Sequence, residues 1–138
     1  MTPRNTNTGG VLEAMVLPAL HRGGYACETQ VLLGHRCGGG VQKVDAVAKK
    51  NGETVLVSLK WQQTSGTAEQ KVPFEVMCLA DAVRAGHAVR AYLVLGGDGW
   101  KLRDYYTSGK MTEHLVHAAL VRIVTLEAFI RIANNGQL

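Results

Sequence analysis

Two strand-like segments joined by an Asn-Gly pair limit the folds open to this chain more than any other feature. Residues 43–50 and 53–62 each contain a run of mostly apolar residues, and only Asn51 and Gly52 separate them. Both turn residues tolerate the positive φ angles of a type I′ turn, so this dipeptide is a strong signal for a β-hairpin. The sequence therefore predicts two antiparallel strands that are neighbours in a sheet.

The segments around this hairpin alternate between helical and strand patterns. Apolar residues at helical spacing predict a first helix over residues 11–22, which Gly23 and Gly24 end. Further strands are predicted over residues 25–34, 88–97 and 121–124, and helical segments over residues 101–117 and 125–134. The strand at 88–97 can run parallel or antiparallel to its neighbour, depending on the crossover that precedes it.

A second helix is predicted between the hairpin and the strand at 88–97. Thr67 and Gln70 have the spacing of a capping box, which predicts that this helix begins there and continues to Arg84. We expect Pro73 in its first turn, where the missing N–H costs little. An apolar stripe at helical spacing predicts the face that packs on the sheet, namely Val72, Val76, Leu79, Ala80 and Val83.

The order of these elements predicts the fold class. Helix, three strands, helix and strand indicate a single α/β domain over residues 10–138, in which helices flank a central mixed β-sheet. Residues 1–9 are polar and predict a flexible N-terminal arm.

Charge and cysteine content narrow the function classes. The formal net charge of +4 favours polyanionic partners such as nucleic acid without deciding among them. Cys27, Cys37 and Cys78 lack CxxC spacing, which argues against a disulfide framework or a zinc cage. No apolar run is long enough to span a bilayer, so we expect an intracellular, cytoplasmic protein that does not contact membranes.

The polar residues of the hairpin strands are the candidates for chemistry. Side-chain alternation places Ser58, Lys60 and Gln62 on one face of the second hairpin strand. A turn at Asn51-Gly52 sets Asp45 opposite Ser58 and diagonal to Lys60. An Asp inside an apolar strand requires a partner such as a metal ion or a lysine, although a purely structural ion pair would also satisfy it.

This arrangement resembles the core of the PD-(D/E)XK nuclease superfamily, which includes restriction enzymes, Holliday-junction resolvases and repair nucleases. The resemblance covers roughly residues 10–96 and implies a restriction-endonuclease-like fold of the order α-β-β-β-α-β. It also implies that Asp45 binds a metal ion and that Ser58, Leu59 and Lys60 occupy the (D/E)-x-K tripeptide. Glu13 on the first helix matches an additional acidic residue that many members have.

Ser58 departs from the family pattern, which has Asp or Glu at that position. One subgroup of restriction enzymes is similar to this chain here, because it has Ser-x-Lys on the strand and takes the missing carboxylate from the following helix. Glu69 and Glu75 are both available near the start of that helix. Glu75 matches the spacing of the subgroup better, whereas Glu69 lies closer to the strand end, so both remain candidates.

The resemblance implies phosphodiester hydrolysis with Mg²⁺, for which Mn²⁺ would substitute. One or two carboxylates hold Mg²⁺ with open positions for water and a phosphate oxygen. Lys60 would position or deprotonate the attacking water, and Gln62 would hydrogen-bond the phosphate or the water. A glycine-rich loop at residues 38–40 precedes the Asp45 strand, and the basic residues expected to contact DNA are His35, Arg36, Lys43 and Lys71.

Three functions are compatible with these residues. The first is a metal-dependent DNA endonuclease of restriction, homing, junction-resolving or repair type, in a prokaryotic or phage-like setting. Because the chain has one site, cutting both strands of a duplex requires at least a homodimer. The second is a non-catalytic nucleic-acid-binding protein of the same fold. The third is an unrelated α/β enzyme or regulatory ligand-binding domain, in which Asp45 and Lys60 form only an ion pair.

Overall fold

The computed structural model describes residues 8–138. Helix α1 comprises residues 8–11, the π-helical segment Leu12–Val16 and the α-helical segment Leu17–Arg22. Thr8 and Gly9 belong to this helix, so it begins before the predicted boundary of the N-terminal arm, while residues 1–7 lie outside the described residues. No helix among residues 8–138 is both long and apolar enough to cross a membrane.

Five strands form one mixed sheet in the order β1-β2-β3-β4-β5. Strand β2 is antiparallel to its neighbours β1 and β3, whereas β4 is parallel to both β3 and β5. Their bounds are Ala26–His35, Val41–Lys50, Glu53–Trp61, Arg90–Gly96 and Val121–Thr125. The predicted order of helix, three strands, helix and strand is confirmed.

The hairpin between β2 and β3 turns at the predicted residues. Asn51 and Gly52 have φ angles of 53° and 79°, the left-handed values that a type I′ turn requires. Ala46 of β2 pairs with Val57 of β3, which is the register that a two-residue turn at this place produces. The predicted antiparallel pairing is therefore confirmed.

Helices cover both faces of the sheet. Helix α2, Ala68–Arg84, packs its predicted apolar stripe against the face that contains Leu56 and Leu93. Helix α1 and the last helix, α4 (Leu126–Asn134), pack against the opposite face, which contains Val55 and Val57. Successive side chains of β3 alternate between these two halves of the core. The strand is therefore packed on both faces.

The start of α2 differs from its prediction. Thr67 makes no side-chain capping bond, and the N–H of Ala68 is instead bound by the side-chain oxygen of Gln62 at 3.1 Å. Pro73 lies in the second turn and leaves the carbonyl of Glu69 without a helical donor. The hydroxyl of Tyr106 donates to that carbonyl at 2.7 Å, which is why the proline is tolerated there.

The segment predicted as helical over residues 101–117 is divided into short pieces. Helix α3 spans Arg103–Thr107, and 3-10 turns span Lys110–Glu113 and Ala118–Leu120. Gly109 has a left-handed φ of 83° and ends the helical path between the first two pieces. Helix α4 begins at Leu126, one residue after its predicted start, and Thr125 caps it by accepting from the N–H of Ala128 at 3.2 Å.

Candidate active site

The sheet is interrupted at Asp45. The β1–β2 ladder joins Thr29 to Ala46 on one side of this residue but skips the pair formed by Gln30 and Asp45. Gln30 has a left-handed φ of 53°, which is unusual for a non-glycine residue and marks a local break in the strand. The β2–β3 ladder ends at Ala46 and Val57. Asp45 thus lies where β2 and β3 diverge, and it has no pairing partner in either ladder.

The carboxylate of Asp45 accepts a backbone hydrogen bond from strand β3. The backbone N–H of Leu59 donates to Oδ2 of Asp45 at 2.6 Å, which replaces the missing ladder bond. Burial raises the pKa of Asp45 above its ordinary value, and the Glu75 charge raises it further. The bond from Leu59 and the charges of Lys60 and Lys43 lower that pKa without reversing the shift. The hydrogen bond from Leu59 and the two lysine charges therefore compensate only in part for the burial of the Asp45 carboxylate.

Glu75 reaches the same point from helix α2. The hydroxyl of Ser58 donates to Oε2 of Glu75 at 2.9 Å, and Nζ of Lys60 lies 3.9 Å from Oε1. Glu75 and Ser58 are both buried, whereas the Lys60 ammonium is partly exposed. A buried carboxylate is stabilised by such charge-assisted bonds, so these contacts define its orientation.

A cavity of about 760 Å³ joins these groups. Its acidic and polar wall contains Asp45, Ser58, Lys60 and Glu75, and its rim contains Arg36, Lys43 and Lys71. A second cavity of about 580 Å³ lies beside β5, and no Asp, Glu or Lys lines it. The first cavity is therefore the place where acidic ligands and basic side chains converge.

The donors in this cavity suit a hard divalent cation. Mg²⁺ binds oxygen ligands and commonly uses one or two carboxylates with several waters. Asp45 and Glu75 provide two carboxylates, and Asp45 uses Oδ2 for the Leu59 bond. Among residues 8–138 no group of three or more His, Cys, Asp or Glu could hold a metal ion. The set therefore fits Mg²⁺ or Mn²⁺ with water completing the shell, and it does not fit the cage of a structural zinc.

Gln62 and Glu69 make structural contacts instead of lining the cavity. The Gln62 side chain bonds Ala68 and donates to the carbonyl of Gly99 at 2.8 Å, so it connects β3 to the loop after β4. Both carboxylate oxygens of Glu69 accept backbone N–H groups, from Lys101 at 2.9 Å and Leu102 at 2.6 Å. The structure thus brings Glu75, and not Glu69, to Ser58 and Lys60.

Glu13 and His35 are also outside the main cavity. Glu13 is exposed on α1, next to Leu12, which does line the cavity. His35 is exposed at the end of β1 and lines a much smaller cavity with Asp81 of α2. Arg36, Lys43 and Lys71 do line the main cavity.

Some side chains in or near this cavity were not predicted from the sequence, among them Gln30 and Phe74. Gln30 lines the cavity because the break in β1 turns it there, and no local signal indicates a left-handed residue inside a strand pattern. Phe74 is exposed on α2 beside Glu75. Its neighbour Lys71, three residues earlier, could have indicated it, because residues at this spacing share a helix face.

Comparison with known proteins identifies the family. The family model of the PD-(D/E)XK nuclease superfamily domain matches residues 4–137. The chain belongs to the PD-(D/E)XK nuclease superfamily. This membership confirms the resemblance inferred from Asp45 and Lys60, and the mixed sheet with flanking helices is consistent with the restriction-endonuclease-like fold. Members of the PD-(D/E)XK superfamily generally use divalent metal ions.

Solved structures similar to this PD-(D/E)XK domain are distant in sequence. One, a protein of unknown function designated AF1548, is 14% identical with a TM-score of 0.50, and the match covers 80% of this chain and 54% of that one. Another is SfsA of Pyrococcus furiosus in complex with Ca²⁺, which is 18% identical with a TM-score of 0.43 over 88% of this chain and 55% of that one. The chain therefore spans about half the length of both proteins. No curated protein matches it.

Proposed function

We propose that this PD-(D/E)XK protein is a metal-dependent DNA endonuclease that hydrolyses phosphodiester bonds. The observation that carries the proposal is the contact of Glu75 with both Ser58 and Lys60, in the cavity that also contains Asp45. Glu75 thereby supplies a carboxylate beside the strand position where most of the family has one. The site contains two carboxylates and a lysine, although its tripeptide begins with serine.

Asp45 and Glu75 are the residues that would hold Mg²⁺, with Mn²⁺ as a substitute. When bound, such an ion neutralises charge on the phosphate and lowers the pKa of a bound water. Lys60 would orient the attacking water and hold a proton, because its ammonium is partly exposed and directed to Glu75 at 3.9 Å. Ser58 keeps Glu75 in one orientation by donating to Oε2, which leaves Oε1 to contact Lys60 or a metal ion.

DNA is the proposed substrate because basic residues surround the carboxylates. Arg36, Lys43 and Lys71 lie at the rim of the cavity, where they would bind phosphates on either side of the cut. Binding should weaken steeply with salt, since phosphate contacts release counterions. The site of action would be the cytoplasm of a prokaryotic or phage-infected cell, where DNA is accessible. A homodimer would place two sites on a duplex and allow both strands to be cut.

Nicking of supercoiled plasmid tests this proposal. The full chain is incubated with Mg²⁺, Mn²⁺ or EDTA, together with the variants Asp45→Ala and Glu75→Ala. We expect metal-dependent nicking by the wild type, loss of nicking in both variants, and wild-type rates for Glu127→Ala, an exposed carboxylate on α4. DNA binding without nicking under any metal condition would instead favour a non-catalytic DNA-binding role.

A further inference from the structure

An exposed aromatic ring lies on α2, next in sequence to the candidate metal ligand Glu75. Phe74 of α2 is 42% exposed, so a large part of its ring faces solvent. Phe74 directly precedes Glu75, and their side chains point about 100° apart around the helix axis. Lys71 precedes Phe74 by one helical turn and lines the cavity with Glu75. The ring therefore shares a helix face with Lys71, a basic residue that lines the cavity.

Arg36 is positioned over this ring. Its guanidinium carbon lies 5.5 Å from the centroid of Phe74, within the range of a cation–π interaction. The glycine-rich loop holds the backbone of Arg36, because its N–H donates to the carbonyl of Gly40 at 2.7 Å and its carbonyl accepts from the N–H of Gly39 at 3.0 Å. A Cβ at residue 40 would approach Nε of Arg36 to 3.0 Å, so glycine at this position leaves room for the side chain.

We propose that Phe74 and Arg36 bind an unpaired nucleobase next to the scissile phosphate, which makes DNA with unpaired bases at the cut the preferred substrate. This inference rests on the proposed nuclease function. In an intact duplex both faces of each base are covered by neighbouring bases, so an exposed ring has nothing to stack on. A base that has left the stack offers a free face, and aromatic side chains combined with basic residues are the usual means of binding it.

The contact of Phe74 with Arg36, which lines the cavity, supports this choice of substrate. Contacts to phosphates need only cations, and Lys43 and Lys71 already provide them at the same rim. Stacking tolerates any base, because every base has a π face, so the preference would be for structure and not for sequence. Arg36 adds a planar cation that can contact the base or its phosphate.

Fluorescence anisotropy in EDTA tests the inference separately from cleavage. The probes are one labelled single strand, its fully paired duplex, and the same duplex with one splayed end. We expect Phe74→Ala to weaken single-strand binding about five- to 150-fold, the contribution of one stacked base, and to reduce the ratio of single-strand to duplex affinity. Phe74→Trp should retain single-strand binding, whereas Phe74→Leu should not.

Matched controls exclude a general effect of surface truncation. Met77→Ala removes an exposed apolar side chain one turn further along α2, and Tyr105→Ala removes an exposed aromatic ring on α3 outside the cavity. We expect both to bind the single strand as the wild type does. Thermal melting of each variant reports whether it is folded, and Phe74→Trp keeps the test informative if Phe74→Ala is not.

Two results would overturn the inference. One is a Phe74→Leu variant that binds the single strand as tightly as Phe74→Trp, since stacking requires a ring. The other is an equal loss of affinity by Phe74→Ala on the paired and unpaired probes. Failure of the wild type to cleave any of these DNAs with Mg²⁺ or Mn²⁺ would defeat the proposed nuclease function, while the anisotropy data would still decide the stacking.

Discussion

The hydroxyl of Ser58 donates a 2.9 Å hydrogen bond to Oε2 of Glu75, and so links strand β3 to a carboxylate of helix α2. In the proposed assignment of the tripeptide, Ser58 takes the place of the Asp or Glu that most PD-(D/E)XK nucleases have. The bond places the helix carboxylate beside that position, within 3.9 Å of Lys60. A serine is well suited here, because a second acidic side chain at residue 58 would face Glu75 and repel it.

The first prediction concerns this relocated carboxylate. Glu75→Ala should lower the nicking rate at least about 100-fold and raise the Mg²⁺ concentration needed for half-maximal rate, because a hard oxygen ligand is lost. The double variant Ser58→Glu/Glu75→Ala should recover part of the rate, since residue 58 faces the same cavity. Nicking rates measured against Mg²⁺ concentration check both expectations. Normal cleavage by Glu75→Ala would mean that another residue is the second metal ligand, with Glu13 as the next candidate.

The second prediction assigns Lys60 to the reaction and not to the fold. Lys60→Ala should reduce the nicking rate about 10²–10⁴-fold, the usual contribution of proton transfer or charge stabilisation by one group. Melting temperature and DNA affinity should change little, since the ammonium is at the surface end of a buried strand. Lys49→Ala on neighbouring β2 is the matched control, because that lysine is exposed. A Lys60→Ala rate within about tenfold of wild type would remove this residue from the mechanism.

The third prediction follows from the raised pKa of Asp45. Its folded-state pKa lies above the unfolded value, so between these two values the folded state binds more protons and stability falls as pH rises. At neutral pH the charged, desolvated carboxylate therefore destabilises the fold. Asp45→Asn should raise the melting temperature at pH 7 without divalent ions, and the gain should shrink as pH falls toward about 4, where Asp45 becomes protonated.

Melting curves from about pH 4 to about pH 8 measure this effect. Asp98→Asn, at an exposed loop position, should show no comparable gain at pH 7. Adding Mg²⁺ should then stabilise the wild type more than Asp45→Asn, because a ligand that binds only the folded state stabilises it by mass action. A gain that is the same at every pH would contradict the link to ionisation.

The fourth prediction tests why helix α2 tolerates Pro73. Tyr106→Phe should lower the free energy of unfolding by about 1–3 kcal/mol, because the carbonyl of Glu69 loses its donor while buried. In a Pro73→Ala background the restored N–H can bond that carbonyl, so the same Tyr106 substitution should cost less. Denaturant unfolding of the four proteins gives the coupling between the two positions. Tyr105→Phe, at an exposed neighbour, serves as the control, and equal costs in both backgrounds would disprove the compensation.

The sequence alone determined the hairpin and the faces of β3. Asn51 and Gly52 allow a two-residue turn, and that turn sets the register that brings Asp45 opposite Ser58 and near Lys60. Both signals are local, because turn type and side-chain alternation depend on a few consecutive residues. The same holds for the apolar stripe of α2, whose members are all buried.

Only the tertiary structure decided which glutamate joins the site and which residues support it. Glu69 and Glu75 are six positions apart, about 240° around the helix, so a single placement of α2 on the sheet cannot direct both toward Ser58. That placement depends on packing between residues distant in the chain, as does the use of Glu69 and Gln62 to hold the loop after β4. Gln30 reaches the site for the same reason, since contacts across the fold have no signal in a short stretch of sequence.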